Sequence, residues 1–400
     1  MKPSTKIHLS ISILTLYLAT LCSCSDNTSS GKLIIDIKSM IGKGAIYNAS
    51  QFIKEIKYIP LETGSDSMVG EIENIVIANN QIYVLHNNRI SIFDITGRYL
   101  NSLNRMGRGP QEYTRILDYA VDTKGSIFIL VEMNAIIEYN NNLAFVRKVD
   151  LRNNPNDLCW DIQFLKEGLF VSSVYHYDEP KYQSLTIFNS EFEIVNSYNT
   201  EIVPITPTFV SIMPYFCYIY EGDMAIYRRV CDTIFNINIE NNYSKSVKYT
   251  LDYGEYAFTE DIVKNKKEEE CRAISLIGLL EVDNYLFMIF DFHKMAPERF
   301  DDVVMNKFSN FFENTLVYAI YDKREGRLAL LNQPEPQTLG LKDDLTGWKP
   351  FWPMFITENE ELVNSYNALD LMPLVEEGKI PSLANLKEDD NPVIVIATLK

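Results

Sequence analysis

Basic residues are in short supply in this chain: 37 lysines and arginines stand against 54 aspartates and glutamates, a net charge of −17. That balance excludes a nucleic-acid binder, which needs a basic face to displace counterions from phosphate. Glycine is sparse as well, 17 in 400 residues, and this excludes a collagen-like or low-complexity chain. The apolar run from Ile7 to Leu21 is about fifteen residues, short of the ~20 that a membrane-spanning helix needs. Motifs that carry chemistry are missing too. There is no Gly-x-Ser-x-Gly elbow. Gly42-Lys43-Gly44 lacks the remaining glycine and the Ser/Thr of a phosphate loop. His86, His176 and His293 stand at no metal-ligand spacing, so neither a metal nor a cofactor is expected.

What is present first is an address. Lys2 and Lys6 precede the apolar run, and Leu21-Cys22-Ser23-Cys24 closes it. A leucine three positions before a cysteine, with a small residue directly before it, is the pattern of a bacterial lipobox. The peptidase needs a small residue at the cut, and the transferase needs a thiol to carry diacylglycerol. Cys24 is therefore expected to be lipidated, with residues 1–23 a signal peptide, 24–32 a polar flexible tether and 33–400 the folded body. The alternative is an ordinary secretory signal with incidental cysteines. Several acyl chains on one cysteine anchor stably where a single chain is marginal. An acidic body repels anionic head groups, so the lipid anchor and not a basic patch is expected to reach the membrane. Cys159, Cys217, Cys231 and Cys271 fit no zinc pattern; they are free to pair in three ways or to remain buried thiols.

Aromatics are plentiful, with 24 Tyr and 21 Phe, and favour sheet. From Ile56 onward short β-rich runs alternate with two- or three-residue turns. Ile72–Ala78, Gln81–Leu85, Arg89–Asp94 and Arg98–Leu103 form one antiparallel meander, and a similar unit restarts at Asp118. The offset between the two is roughly 42 residues, and four strands at a period near 40 are the signature of propeller blades. A third unit spans Asp161–Tyr198, a fourth Phe209–Tyr253, and a fifth Ala273–Asn332 with an insertion around His293 to Phe312. In the last stretch Thr357 and Glu360 have capping-box spacing. Leu362, Val363, Tyr366, Leu369 and Met372 then follow a helical period, which predicts a helical insertion in the final blade. Pro392 to Ala397 reads as a closing strand, with Ile56 to Leu61 as its N-terminal partner.

Two places carry a family likeness. The first is Ile56-Lys57-Tyr58-Ile59-Pro60-Leu61 with Phe93-Asp94-Ile95-Thr96-Gly97-Arg98 and Gly107-Arg108-Gly109-Pro110-Gln111-Glu112-Tyr113; the second is Gly347-Trp348-Lys349-Pro350-Phe351-Trp352-Pro353 with the Asn391-Pro392 finish. Together they resemble the six-bladed β-propeller lipoproteins of Bacteroidetes, distantly similar to NHL-repeat propellers. Gln111 replaces the usual glycine after proline. The resemblance implies an all-β, six-bladed propeller of four-stranded antiparallel blades in the cell envelope, and it implies no reaction. The expected role is a binding or interaction module with a protein or glycan partner, accessory to outer-envelope nutrient or glycan handling. The alternatives are a glycosidase or lyase using channel-mouth carboxylates, and a scaffold with no small ligand. Arg105, Arg108, Glu112 and Tyr113 form a candidate ligand rim, or else a plain blade connector. Trp348 and Trp352 form a candidate sugar platform, or else a packed plug. Ser67, in Asp66-Ser67-Met68, fits a short O-glycosylation pattern.

Overall fold

The computed structural model describes residues 33–400 apart from 133, 152–155, 167, 179–180, 202, 207–208, 212–214, 266–270 and 299–314. The expected signal peptide, Cys24 and the expected tether lie outside the described residues, as does most of the insertion expected around His293 to Phe312. From Ile34 onward the chain is one compact unit.

Strand β1 (Leu33–Asp36) is followed by β2 (Ile53–Pro60). The first blade is β3 (Asn74–Ala78), β4 (Gln81–His86), β5 (Arg89–Asp94) and β6 (Tyr99–Leu103). The second is β7 (Ile116–Val121), β8 (Ile127–Val131), β9 (Ala135–Tyr139) and β10 (Phe145–Asp150). In the third, an interrupted first strand, β11 (Asp157–Cys159) and β12 (Gln163–Phe164), pairs with β13 (Phe170–His176), followed by β14 (Tyr182–Phe188) and β15 (Ile194–Glu201). A separate hairpin follows, β16 (Val203–Thr206) with β17 (Phe209–Ser211). The fourth blade is β18 (Tyr215–Tyr220), β19 (Asp223–Arg228), β20 (Thr233–Asn238) and β21 (Ser244–Asp252), with β1 added on its outer edge. After the short helix α1 (Glu260–Lys264) comes the fifth: β22 (Ser275–Glu281), β23 (Tyr285–Asp291), β24 (Leu316–Asp322) and β25 (Arg327–Leu330). The sixth is β26 (Phe355–Ile356), β27 (Leu362–Tyr366) and β28 (Val393–Leu399), and β2 completes it. Helix α2 (Met372–Glu377) lies between β27 and β28 and is the helical insertion of this blade. It ends at Gly378, whose φ of 65° is the left-handed cap that glycine adopts freely. The expected ring of six four-stranded antiparallel blades is thus what the chain forms.

A local signal makes the blades repeat. At the turn from third to fourth strand stand Phe93-Asp94, Tyr139-Asn140 and Phe188-Asn189, with the aromatic ring buried in every case. The acidic or amide oxygen then accepts backbone N–H groups two and four residues on: Thr96 and Arg98, Asn142 and Ala144, Glu191 and Glu193. A side chain that imitates a turn carbonyl fixes the hairpin, and the ring before it anchors that hairpin to the core.

Two expectations need correction. The helix expected directly after Thr357 is strand β27, paired with Val393–Ala397 of β28. Thr357 Oγ1 accepts the N–H groups of Asn359 and Glu361, and Glu360 sits at φ 60°, so the capping-box spacing caps a hairpin turn instead. Leu362 and Tyr366 are spaced alike for a helix face and for one face of a strand, and the partner strand decides. The fourth blade begins at Tyr215, not Phe209, because Phe209–Ser211 pairs with Val203–Thr206. Leu33–Asp36 adds a strand to that same blade beyond the expected four. The closing pair is as expected: β28 lies between β2 and β27, so one blade joins a strand from the N-terminal side to the last strand.

Candidate functional site: the central channel

The first strands of all six blades line one central channel of about 870 Å³, from Asn74–Ala78 through Asp118–Val121, Gln163–Phe164, Cys217–Ile219 and Leu279–Glu281 to Phe355–Ile356. Near the end where these strands begin, a belt of hydrogen bonds crosses three blades. The Asn74 amide donates to Asp118 Oδ1 at 2.8 Å, and the Ile162 N–H donates to Asp118 Oδ2 at 2.9 Å. Burial pushes the Asp118 carboxyl up to about 6; the neighbouring Asp161 charge adds to this, and the hydrogen bonds oppose it. Asp161 is raised for the same leading reason and accepts the Ser173 hydroxyl at 2.8 Å.

The far end is built from ions. Glu281, at the end of β22, receives Lys248 at 2.7 Å, Lys323 at 3.0 Å and the hydroxyls of Tyr218 at 2.6 Å and Tyr249 at 2.8 Å. Burial alone would raise this carboxyl, but the Lys248 ammonium, the Tyr218 hydroxyl and Lys323 outweigh it and hold it below its usual range. The same two ammonium groups, Lys248 and Lys323, lie 4.5 and 4.4 Å from the centre of the Tyr220 ring, whose hydroxyl donates to Asp283 at 3.0 Å. These contacts tie the fourth blade to the fifth. The Asp283 N–H donates to Glu360 at 2.9 Å and extends the tie to the sixth.

The candidate rim from Arg105 to Tyr113 connects β6 to β7. Tyr113 is only 2% exposed and donates to the Leu103 carbonyl, so it anchors the connector and presents no aromatic face. Glu112 turns back to accept the Gly109 N–H at 2.8 Å, and Arg105 donates to the Leu143 carbonyl at 3.1 Å. Arg108 remains exposed. Trp348 and Trp352 are buried, Trp348 edge-on to Tyr366 and Trp352 against Tyr318 at 4.5 Å; they are the plug, and the sugar platform is corrected. Ser67 is 3% exposed and donates to the Glu62 carbonyl, which withdraws it as an accessible glycosylation acceptor. Cys159, Cys217 and Cys231 are free thiols.

The residue that sequence reasoning missed is Trp160. It is 46% exposed and stands in the break between β11 and β12, directly before Asp161 and the channel-lining Ile162. Its backbone N–H donates to the Ser173 carbonyl at 3.0 Å, and the Ser173 N–H donates in turn to Asp161. These contacts fix the backbone while leaving the indole outside. A lone tryptophan between Cys159 and Asp161 gives no periodic signal, and only its exposure marks it.

The histidines are structural. His86, His176 and His293 all sit at or just beyond the end of their blade's second strand and are hydrogen-bonded there. Asp157, His176 and Ser184 form an Asp–His–Ser chain at 2.9 and 2.9 Å. Ser184 is 1% exposed, however, and its oxygen continues to Thr186, so this chain is a core network and its serine does not face solvent.

A ring of six blades around a polar-ended channel defines the class: a six-bladed β-propeller. Residues 32–398 match the DUF4934 family, a domain of unknown function, and the chain belongs to that family. No curated protein matches the sequence significantly. Among solved structures, a protein of Bacteroides fragilis NCTC 9343 described as exported is similar at 17% identity and a TM-score of 0.63, covering 92% of this chain and 99% of that one. That likeness is one of fold. U3-55K matches more loosely, at 12% identity and a TM-score of 0.43 over 88% of this chain and 100% of its own. No described helix is long and apolar enough to cross a membrane.

Proposed function

We propose that the protein is a lipid-anchored envelope module that captures a protein or glycan partner at the end of the channel where the first strands begin, as an accessory of outer-envelope nutrient or glycan handling. The observation that carries this reading is the exposed Trp160 indole, two residues before the channel-lining Ile162. An exposed aromatic next to a preformed concavity is a favoured anchor for a partner. The lipobox ending at Cys24 supports the anchor, and the description of the Bacteroides fragilis relative as exported supports export alone. Affinity isolation from cross-linked native envelopes identifies the partner, and titration of the isolated partner then tests the site. Trp160→Ala is expected to weaken capture by roughly 2 kcal/mol, as loss of a hot-spot aromatic does, with melting unchanged. Capture at full strength by Trp160→Ala removes the site. Cys24→Ala is expected to leave the membrane fraction and take up no labelled fatty acid; continued sedimentation with labelling overturns the anchor.

Asp118 favours a second reading. A carboxyl held near 6 in a channel wall is suited to general-acid work on a glycosidic bond. Turnover of an envelope glycan that Asp118→Asn abolishes would establish it, and a glycan bound but never cleaved would end it.

A further inference from the structure

A second cavity, of about 520 Å³, lies on the flank of the fifth blade, away from the six first strands. Residues 45–52 run along that blade and build one wall. The Ala45 N–H donates to the Leu330 carbonyl at 3.0 Å, the Lys342 N–H to the Tyr47 carbonyl at 2.8 Å and the Lys400 N–H to the Phe52 carbonyl at 3.0 Å. The wall is therefore held by three distant parts of the chain and is preformed. It carries Tyr47 and Phe52, with ring centres 6.3 Å apart, and Phe52 meets Tyr285 edge-on at 5.5 Å. Ile320 and Leu328 add apolar lining.

The polar lining is balanced in charge. Arg324 donates to the Tyr285 hydroxyl at 2.8 Å and lies over that ring at 5.4 Å, which fixes its guanidinium. Asp322 is 3.7 Å from it and accepts the turn N–H groups of Arg324 and Glu325. Arg327 pairs with Glu325. Two guanidinium groups stand against two carboxylates, so the lining carries no net charge with which to favour an ion. Planar donors and acceptors next to aromatic rings suit a ligand with hydroxyls on its edge and C–H groups on its face. The volume falls within the roughly 300–1,000 Å³ of small-molecule sites.

We propose that this groove binds a neutral saccharide of one or two pyranose rings, stacked on Tyr47 and Phe52 and hydrogen-bonded by Arg324. The proposal is independent of the channel reading. The test is calorimetric titration of the detergent-solubilised full chain with maltose, cellobiose, lactose and mannobiose, with digalacturonate as the charged control. At least one neutral disaccharide is expected to bind, and digalacturonate at least about tenfold more weakly. Tyr47→Ala and Arg324→Ala are each expected to lose about tenfold in affinity, the equivalent of one good hydrogen bond or stacking contact. Melting guards against misfolding, and Arg324→Gln, which keeps a planar donor, is expected to retain more affinity than Arg324→Ala. Trp160→Ala is expected to leave this binding unchanged. Silence from all four neutral sugars, a preference for digalacturonate, or full affinity in both Tyr47→Ala and Arg324→Ala overturns the proposal. Loss of binding in Trp160→Ala with the groove variants unaffected also overturns it, and moves the sugar to the channel.

Discussion

The two ends of the channel hold their blades together by different means. Where the first strands begin, Asn74, Asp118 and Ile162 link the first three blades through neutral donors around one carboxyl. Where they end, Glu281 is clamped by Lys248 and Lys323 together with two tyrosine hydroxyls. The first seam leaves its carboxyl to titrate near pH 6; the second holds its carboxylate ionised. A buried charge that is fully paired becomes costly to disturb, whereas one held by neutral groups responds to its surroundings.

The largest effect should come from breaking what both seams depend on, the closure of the ring. Deleting Pro392 to Lys400 removes β28, leaves β2 and β27 without their common partner and discards the buried Val393, Ile394, Val395 and Ile396. Each such side chain contributes roughly 1.5–3 kcal/mol of burial, so the loss approaches the whole stability of a domain. Circular dichroism on heating should show no cooperative transition; unchanged melting would end the closure account.

Next is the charged seam. Glu281→Ala leaves two ammonium groups and two phenols facing an empty site, and denaturant titration should show a loss of about 3–5 kcal/mol. A loss below about 1 kcal/mol would place this cluster with ordinary surface pairs.

The neutral seam should show itself in pH dependence. The folded-state Asp118 is raised to about 6 from an ordinary 3.8, so the folded chain keeps a proton that the unfolded chain releases. Its contribution is therefore fully present below pH 3.8 and is lost as pH rises through about 6. The stability of wild type relative to Asp118→Ala should fall by roughly 1–3 kcal/mol between about pH 4 and 7. His86, held near 4 by burial and then by Arg89, tilts stability the other way, which is why the difference from the variant and not the raw profile is the measurement. A flat difference would mean that Asp118 titrates normally.

The smallest effect belongs to Arg108. It is exposed, and the connector is held by Tyr113, Glu112 and backbone, so Arg108→Ala should move stability by less than about 0.5 kcal/mol. A larger shift in denaturant midpoint would show the connector to be more than a link between blades.

The two halves of the chain were not equally legible. The first two blades could be read strand by strand because each turn is written locally, as in Asp94 and Asn140, whose side chains satisfy the turn within four residues. The sixth blade could not, because Leu362 to Tyr366 suits a helix or a strand until β28 lies beside it. The extra strand of the fourth blade depends on a partner much farther along the chain, β21. The candidate site was read less well than the fold. Glycine, arginine and tyrosine in the Arg105–Tyr113 loop stand out in the sequence, but burial assigns Tyr113 to the core and leaves Trp160 outside.

By itself the sequence determined the blade rhythm, the closing strand and the shortage of basic charge, because alternation, turn chemistry and net charge act over a few residues or over the whole chain. Only the tertiary structure decided which carboxyl is clamped by ammonium groups and which by neutral donors, which tryptophan meets solvent, and where a groove opens. Those properties depend on contacts between residues far apart in the chain, such as Asn74 with Asp118 or Lys323 with Glu281, and no local pattern encodes them.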